Sequence, residues 1–278
     1  MLHEIEPKKF RNAFTNKDSK DSDLALVYRE HGIVFVREGD GLRLPYLSEL
    51  VTKKNVEHRY GYSIDDNSYY IVFGDVEVNA DVELYPLREL RYLNPMSLAF
   101  AGLIGKQLYR FFQTRQYCGC CGTHTKRSTT EQAVICPKCN HVEYPKISPA
   151  IIVAIVNGDK LLMTKYANGD YHKYALVAGF VEFGESFEQA VVREVKEEVG
   201  LNVKNVTYFK NQPWPISDSQ MVGFFAELDG DETVTLQEEE LSEAVWFDKE
   251  KIPVNQNAIS LGYELVEAVR SGEYKKYL

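Results

Sequence analysis

The stretch of this chain that most constrains its fold is Gly179–Leu201, GFVEFGESFEQAVVREVKEEVGL, because it gathers acidic side chains where a bare helix would not hold them cheaply. Glu194, Glu197 and Glu198 stand at i, i+3 and i+4, so on an α-helix they project from one face. Like charges so placed repel by roughly a few tenths of a kcal/mol per pair. A divalent cation turns the same arrangement into a site, and hard carboxylate oxygens suit Mg²⁺ or Mn²⁺. The plainer alternative is a solvated acidic helix face, the usual meaning of a charge run. Against it stands the spacing of the whole segment: Gly179, five residues, Glu185, seven residues, then Arg193, Glu194, Val195, Lys196, Glu197, Glu198, Val199, Gly200 and Leu201. Gly179 and Gly184 suit tight turns ahead of the helix, and Gly200 suits its end. Ala190, Val191 and Val195 supply an apolar face to dock on a sheet.

The rest of the chain must provide that sheet. With 278 residues, 44% of them hydrophobic and 12% aromatic, it can bury a substantial core and form two modest domains. Its formal net charge of -9 repels a polyanion unless basic residues are gathered locally. Non-specific nucleic-acid binding is therefore disfavoured, whereas a nucleotide or an RNA end in a metal-lined pocket is not. The segment MLHEIEPKKFRNAF has no apolar run of the signal-peptide kind, and no run is long enough to span a bilayer. The expectation is a soluble, cytoplasmic protein with no membrane partner.

Short β-branched and aromatic runs at Leu24–Tyr28, Gly32–Val36 and Tyr69–Val72 are separated by the turn formers Glu38-Gly39-Asp40-Gly41 and Asp65-Asp66-Asn67. They predict a small β-rich N-terminal domain over 1–95. Asn94-Pro95 ahead of MSLAFAGLIGKQLYRFFQ predicts a helix capped by Asn94 with Pro95 in its first turn, linking onward over 96–117. Ser148–Val156 reads as a buried strand, Lys160–Thr164 as its partner across Asn157-Gly158-Asp159, and Val206–Phe209, Met221–Glu227 and Ala244–Phe247 as further strands. Residues Ala258–Val269 carry helical apolar spacing. The expected class is α+β, with a C-terminal α/β/α sandwich on a mixed sheet over 146–278.

Between the two domains, over 118–145, lie Cys118 and Cys121, then fourteen residues, then Cys136 and Cys139. Two tight turns each offering two thiolates meet the tetrahedral four-sulfur demand of one Zn²⁺, which predicts a zinc ribbon. With all four positions filled by protein, such an ion is structural. Cys120 is a bystander in the first turn. Incidental buried cysteines and a redox Cys-x-x-Cys pair are the alternatives, and zinc content separates them.

The Gly179–Leu201 pattern matches the Nudix box at every fixed position, and Asn211-Gln212-Pro213-Trp214-Pro215-Ile216-Ser217-Asp218-Ser219 resembles the Ser-Gln-Pro-Trp-Pro-Phe-Pro-x-Ser signature of NADH pyrophosphatases. That branch of the Nudix superfamily also removes NAD caps from RNA. The similarity takes in the zinc ribbon and Tyr144-Pro145, running from about Pro86 onward, and departs at Asn211, Ile216 and Ser217. The resemblance implies the Nudix fold and hydrolysis of NADH and NAD⁺ to nicotinamide mononucleotide and AMP, with NAD-capped RNA as a second substrate entering by its 5′ end. It implies two or three Mg²⁺ or Mn²⁺ ions on the Ala178 carbonyl, Glu194, Glu198 and Glu240, and one structural Zn²⁺ per chain. Glu197 and Glu198 become the candidates to activate water, and Arg193, pointing away from the carboxylate face, should brace Glu185.

By the same resemblance, substrate contacts fall on Gln212, Pro213, Trp214, Pro215, Ile216, Ser217, Asp218 and Ser219, and on Tyr144, Glu131, Arg88 and Gly262. Phe180 is a candidate to stack on a base, or else simple core. Arg88 has a surface ion pair as its alternative, Glu131 an exposed strand position, and the Pro-Trp-Pro segment a merely rigid loop. The departures at Asn211, Ile216 and Ser217 bear on how the nicotinamide half is held. The family commonly forms homodimers. Rival readings are a Nudix hydrolase for ADP-ribose or diadenosine polyphosphate, and a zinc-ribbon regulator that senses a nucleotide. The intact carboxylates and the acidic charge count against the regulator.

Overall fold

The computed structural model describes residues 1–52, 56–168, 173–253 and 259–278. The chain divides into two compact units, residues 2–146 and residues 147–278 with Met1. Among the described residues no helix is long and apolar enough to cross a membrane.

The N-terminal unit is built from nine short strands: β1 (Phe10–Arg11), β2 (Leu24–Arg29), β3 (Gly32–Glu38), β4 (Gly41–Arg43), β5 (Leu50–Thr52), β6 (Glu57–Ile64), β7 (Asn67–Phe73), β8 (Val76–Val78) and β9 (Val82–Pro86). They form a sheet ordered β1-β6-β7-β2-β3-β4 with β9 also on β3, while β5 and β8 pair separately. The turns expected from sequence hold: Asp65, at φ 53°, lies in the connection of β6 to β7, and Gly39, at φ 57°, in that of β3 to β4.

Helix α1 (Met96–Thr114) covers most of the segment expected to link onward, and its Phe100, Leu103, Phe111 and Phe112 are buried in one core with Leu26, Phe35, Tyr62 and Ile71 of the sheet. It is the lid of this unit's hydrophobic core. The cap also moves by one residue. Pro95 occupies the N-cap with φ -71° and ψ 153°, its carbonyl accepting from the Leu98 N–H at 2.8 Å, and no side chain caps the helix. A proline ring fixes φ near that value, so Pro95 serves at the cap as readily as one position later. The cysteine segment then adds three two-residue strands, β10 (Lys126–Arg127), β11 (Val134–Ile135) and β12 (Val142–Glu143), in one antiparallel sheet.

The C-terminal unit contains β13 (Ser148–Asn157), β14 (Lys160–Tyr166), β15 (Val177–Phe180), α2 (Phe187–Val199), β16 (Val203–Trp214), β17 (Ser219–Leu228), β18 (Leu241–Asp248) and α3 (Leu261–Ser271). The sheet runs β16-β17-β13-β14-β18, with β15 on the other part of β13. β13 and β17 are parallel and the remaining neighbours antiparallel, which makes the sheet mixed. Ala258, where the last helix was expected to begin, lies outside the described residues. The helix itself starts at Leu261, with Ser260 accepting from the Tyr263 N–H.

Strand alternation divides the side chains between two cores. Ile151, Val153, Ile155, Val222 and Phe224 face Ala190, Val191, Val195 and Val199 of α2. Ala154, Val156, Phe209 and Phe225 face Leu261, Leu265, Ala268 and Val269 of α3. One sheet between two helices is the α/β/α sandwich that the sequence predicts.

Candidate functional site

The local sequence explains how α2 is held at the site. Ser186 caps its start by accepting from the Gln189 N–H at 3.2 Å, while the Gln189 side chain accepts from the Ser186 N–H at 2.8 Å. Gly200 ends it in the left-handed conformation at φ 73°. With its apolar face on the sheet, the helix carries Glu194 and Glu198 to the boundary of the core and leaves Glu197 half exposed.

Gly179 acts through space rather than through a turn. It pairs with Ile151 in β15, so its Cα faces α2, and a Cβ there would lie 2.0 Å from Glu194 Cδ. Only a residue without a side chain lets the Glu194 carboxylate come this close to the strand that carries Ala178 and Gly179. Gly184, at φ 89°, does supply the turn expected of it.

Arg193 pairs with Glu185 as expected, Nε donating to Oε1 at 2.6 Å and Nη2 to Oε2 at 3.0 Å. It does not point wholly away from the carboxylates. Nη1 donates to Glu194 Oε1 at 2.8 Å and to Glu197 Oε2 at 3.0 Å, and Nη2 also reaches the Phe180 carbonyl at 3.0 Å. The five-donor fork is long enough to span the turn from Glu185 to Glu197, which a spacing argument on Cα positions understates. Arg193 holds the Glu185 carboxyl below the usual carboxylate range, aided by the Glu182 N–H.

Glu198 is the chemically distinct member. The residue is 3% exposed, and among the described residues nothing donates a hydrogen bond to its carboxylate. Burial, followed by the charges of Glu194, Glu240 and Glu197, pushes its pKa up to about 8. Glu194 is also raised, chiefly by burial and against the pull of Arg193, with Glu197 and Glu240 adding to the rise. Glu240 itself is exposed, immediately before β18. A buried carboxylate in the field of Glu194, Glu240 and Glu197 offers hard oxygen donors of the kind a divalent cation takes.

The segment from Gln212 to Ser219 is a β-hairpin rather than a loop. Gln212, Pro213 and Trp214 complete β16, Pro215–Asp218 form the turn, and Ser219 opens β17 opposite Trp214. Pro213 is tolerated because β16 is an edge strand. The turn is held by the Ser148 N–H donating to the Asp218 carbonyl at 2.7 Å, with Ser217 Oγ and Ser219 Oγ 2.8 Å apart. Registers place Phe180, Ala150, Met221 and Gln212 in one row across the α3 face of the sheet, and Ser148, Ser219 and Trp214 in the next. Phe180 is 53% exposed there and is not core. Gly262 packs over the same face, where a Cβ would meet Ile152 Cδ1 at 3.1 Å.

Two expected contacts and one departure from the signature are placed differently from their sequence reading. The Gln212 side chain is buried, Nε2 donating to the Ile259 carbonyl at 2.8 Å and Oε1 accepting from the Leu261 N–H at 2.7 Å. Asn211 lies on the α2 face, donating to Tyr208 Oη at 2.7 Å and accepting from Gln220 Nε2 at 2.8 Å, so this departure is not on the Phe180 face. In the N-terminal unit Glu131 sits on a bend, not a strand, and accepts from Tyr144 Oη at 3.2 Å. Tyr144 is itself exposed, and Arg88 is 81% exposed beside Glu89. Parity along β16 was the available signal for Asn211 and Gln212, since neighbours on a strand face opposite ways.

In the N-terminal unit the Sγ atoms of Cys118, Cys121, Cys136 and Cys139 all lie within 4.8 Å of one another, with Cys121–Cys136 at 3.5 Å and Cys118–Cys139 at 3.6 Å. A tetrahedron with Zn–S bonds of about 2.3 Å sets its sulfurs about 3.8 Å apart, so the quartet fits one zinc. Cys120 stays outside the quartet with its backbone N–H directed at Cys118 Sγ.

Similarity to known proteins bears on the fold and the family. Residues 146–267 match the NUDIX domain family. The chain is 48% identical over 152 residues to the NAD-capped RNA hydrolase NudC of Mannheimia succiniciproducens, covering 51% of this chain and 56% of the relative. It is 42% identical over 201 residues to that of Actinobacillus succinogenes, covering 69% and 75%. The chain thus spans little more than half the length of the first of these relatives. A crystal structure of a NUDIX hydrolase from Nitrosomonas europaea superposes with a TM-score of 0.51 at 23% identity, over 58% of this chain and 93% of that one, a likeness of fold. Fold and carboxylate helix thus define a Nudix domain. With the relatives' similarity added, the chain belongs to the NADH pyrophosphatase and NAD-capped RNA hydrolase family of the Nudix superfamily.

Proposed function

We propose that the chain is a divalent-metal-dependent pyrophosphohydrolase that splits NADH and NAD⁺ into nicotinamide mononucleotide and AMP and removes NAD caps from the 5′ end of RNA. The observation that carries this reading is Glu198, a buried carboxylate with no hydrogen-bond donor among the described residues, in the field of Glu194, Glu240 and Glu197. Such a cluster is costly in a folded protein unless it holds positive charge.

In this reading the Ala178 carbonyl, Glu194, Glu198 and Glu240 hold two or three Mg²⁺ or Mn²⁺ ions. Bound there, such ions neutralise pyrophosphate oxygens and lower the pKa of a coordinated water. Glu198 or Glu197 takes up the proton of the attacking water as its oxygen bonds to phosphorus, and the bridging oxygen leaves with the other phosphate. Arg193 keeps Glu194 and Glu197 in place and ties them to the Phe180 carbonyl. Phe180 and Trp214 offer the aromatic surface for a base, a stacking contact worth about 1–3 kcal/mol. The cysteine quartet takes one Zn²⁺ as a structural ion, and the active protein is a homodimer.

The test is Glu198→Gln. Turnover of NADH should fall by about a hundred- to ten-thousand-fold, the range for a lost general base, while circular dichroism stays native. A variant with near-normal turnover would refute the assignment.

A further inference from the structure

Gln212 falls in the stretch assigned by resemblance to substrate contact, yet its side chain is spent inside the protein. The residue is 1% exposed, its carboxamide oxygen accepts from the Leu261 N–H at 2.7 Å, and its carboxamide nitrogen donates to the Ile259 carbonyl at 2.8 Å. Leu261 is the first residue of α3, so its N–H has no partner within the helix. The side chain of the N-cap Ser260 accepts from the Tyr263 N–H, at 3.3 Å, and leaves Leu261 to be satisfied from elsewhere. The acceptor comes from β16, forty-nine residues earlier in sequence.

The position of this clamp matters. Gln212 stands in the row that runs through Met221 and Ala150 to the exposed Phe180, and Trp214 stands in the row beyond it on the same face. On the other side of the clamp, Gly262 of α3 is close-packed over Ile152. One carboxamide therefore joins the strand carrying Trp214 to the helix turn carrying Gly262.

We propose that Gln212 is a positioning residue: its buried carboxamide clamps the first turn of α3 to the Trp214 hairpin and so keeps the dinucleotide pocket in its binding shape, without touching the dinucleotide. This rests on the reading of the C-terminal unit as a dinucleotide hydrolase. A direct contact and a clamp part company on what else changes when the carboxamide is lost. A clamp exposes the Leu261 amide and weakens binding together, and a contact weakens binding alone.

The experiment uses the full chain and Gln212→Met, which keeps the shape and removes both bonds. Hydrogen exchange at the Leu261 amide is read beside KM and kcat for whichever of NADH, NAD⁺ and ADP-ribose the unaltered protein turns over fastest. The clamp predicts exchange and KM each increased by about three- to tenfold, the range for a lost hydrogen bond, with kcat within about twofold and the Mn²⁺ activation constant unchanged. Raised KM with Leu261 protection intact means direct contact and overturns the proposal, as does faster exchange with unchanged KM or a fall in kcat alone. If the Met variant does not fold, Gln212→Glu decides, since it keeps the acceptor for Leu261 and loses the donor to Ile259. Protection at Leu261 with KM raised less than about threefold supports the clamp, and protection with a larger rise overturns it. If the unaltered protein cleaves none of the three dinucleotides, the functional reading fails by itself, and Leu261 exchange alone then judges the clamp.

Discussion

In the proposed reading, the chain carries two sets of metal-ligand side chains that solve opposite problems. The cysteine quartet of the N-terminal unit is closed: four soft sulfurs, all within 4.8 Å of one another, use up every position of a tetrahedral ion. The carboxylates of α2 and Glu240 form an open set of hard oxygens, with Glu198 buried and without a hydrogen-bond donor among the described residues, and Glu240 exposed. A closed set can only hold its own loops together. An open one leaves positions for water and phosphate oxygens, which is what hydrolysis requires. In the proposed reading, structure lies in the first set and chemistry in the second.

The contrast can be broken most sharply at the cysteines. Cys136→Ser should lower zinc from one per chain to a small fraction and melt the N-terminal unit first, since structural zinc contributes about 10–16 kcal/mol in small zinc domains. Elemental analysis and a thermal melt check this. A fully folded, zinc-free N-terminal unit would make the quartet incidental.

Next in size is Gly179→Ala. The added Cβ would fall 2.0 Å from Glu194 Cδ, so the carboxylate must swing away from β15. Displacing a reacting group by about 1 Å can cost around a hundredfold in rate, and kcat should fall to that extent with the melting temperature little changed. Unaltered kcat would mean that Glu194 does not need its present position.

These two expectations also mark what the sequence made legible. The carboxylate helix and the cysteine pairs are read from local spacing, because i, i+3, i+4 and Cys-x-x-Cys place ligands together whatever the rest of the chain does. The strands at Leu24–Tyr28, Ser148–Val156 and Met221–Glu227 follow from equally local patterns and are all present. What sequence did not reveal depends on distant partners. The burial of α1 against β2, β3 and β7 is decided by tertiary packing, as is the clamp of Gln212 on Leu261 across forty-nine residues. Arg193 was misread for a smaller reason, since its reach to Glu197 follows from the length of the guanidinium side chain and not from its helical position.

Smaller effects sharpen the comparison on the substrate side. Trp214→Ala and Phe180→Ala should each raise KM for NADH by about five- to a hundred-and-fifty-fold, the equivalent of a lost 1–3 kcal/mol stack, with the metal activation constant unchanged. A KM within twofold of the unaltered protein in both would remove the α3 face as the base pocket. Arg88→Ala should do least. Its side chain is 81% exposed beside Glu89, so stability should change by less than about 1 kcal/mol. A rise in KM with that variant would instead make Arg88 a substrate contact.

The central claim is that the open carboxylate set cuts the pyrophosphate of NAD(H). It is tested most directly by following products from NADH, NAD⁺, ADP-ribose and NAD-capped RNA side by side, with Mn²⁺ and after its removal by chelation. The account predicts nicotinamide mononucleotide with AMP or 5′-monophosphate RNA, faster from the NAD forms than from ADP-ribose, and no products after chelation. Preferential cleavage of ADP-ribose, or release of free nicotinamide with the pyrophosphate intact, would contradict it.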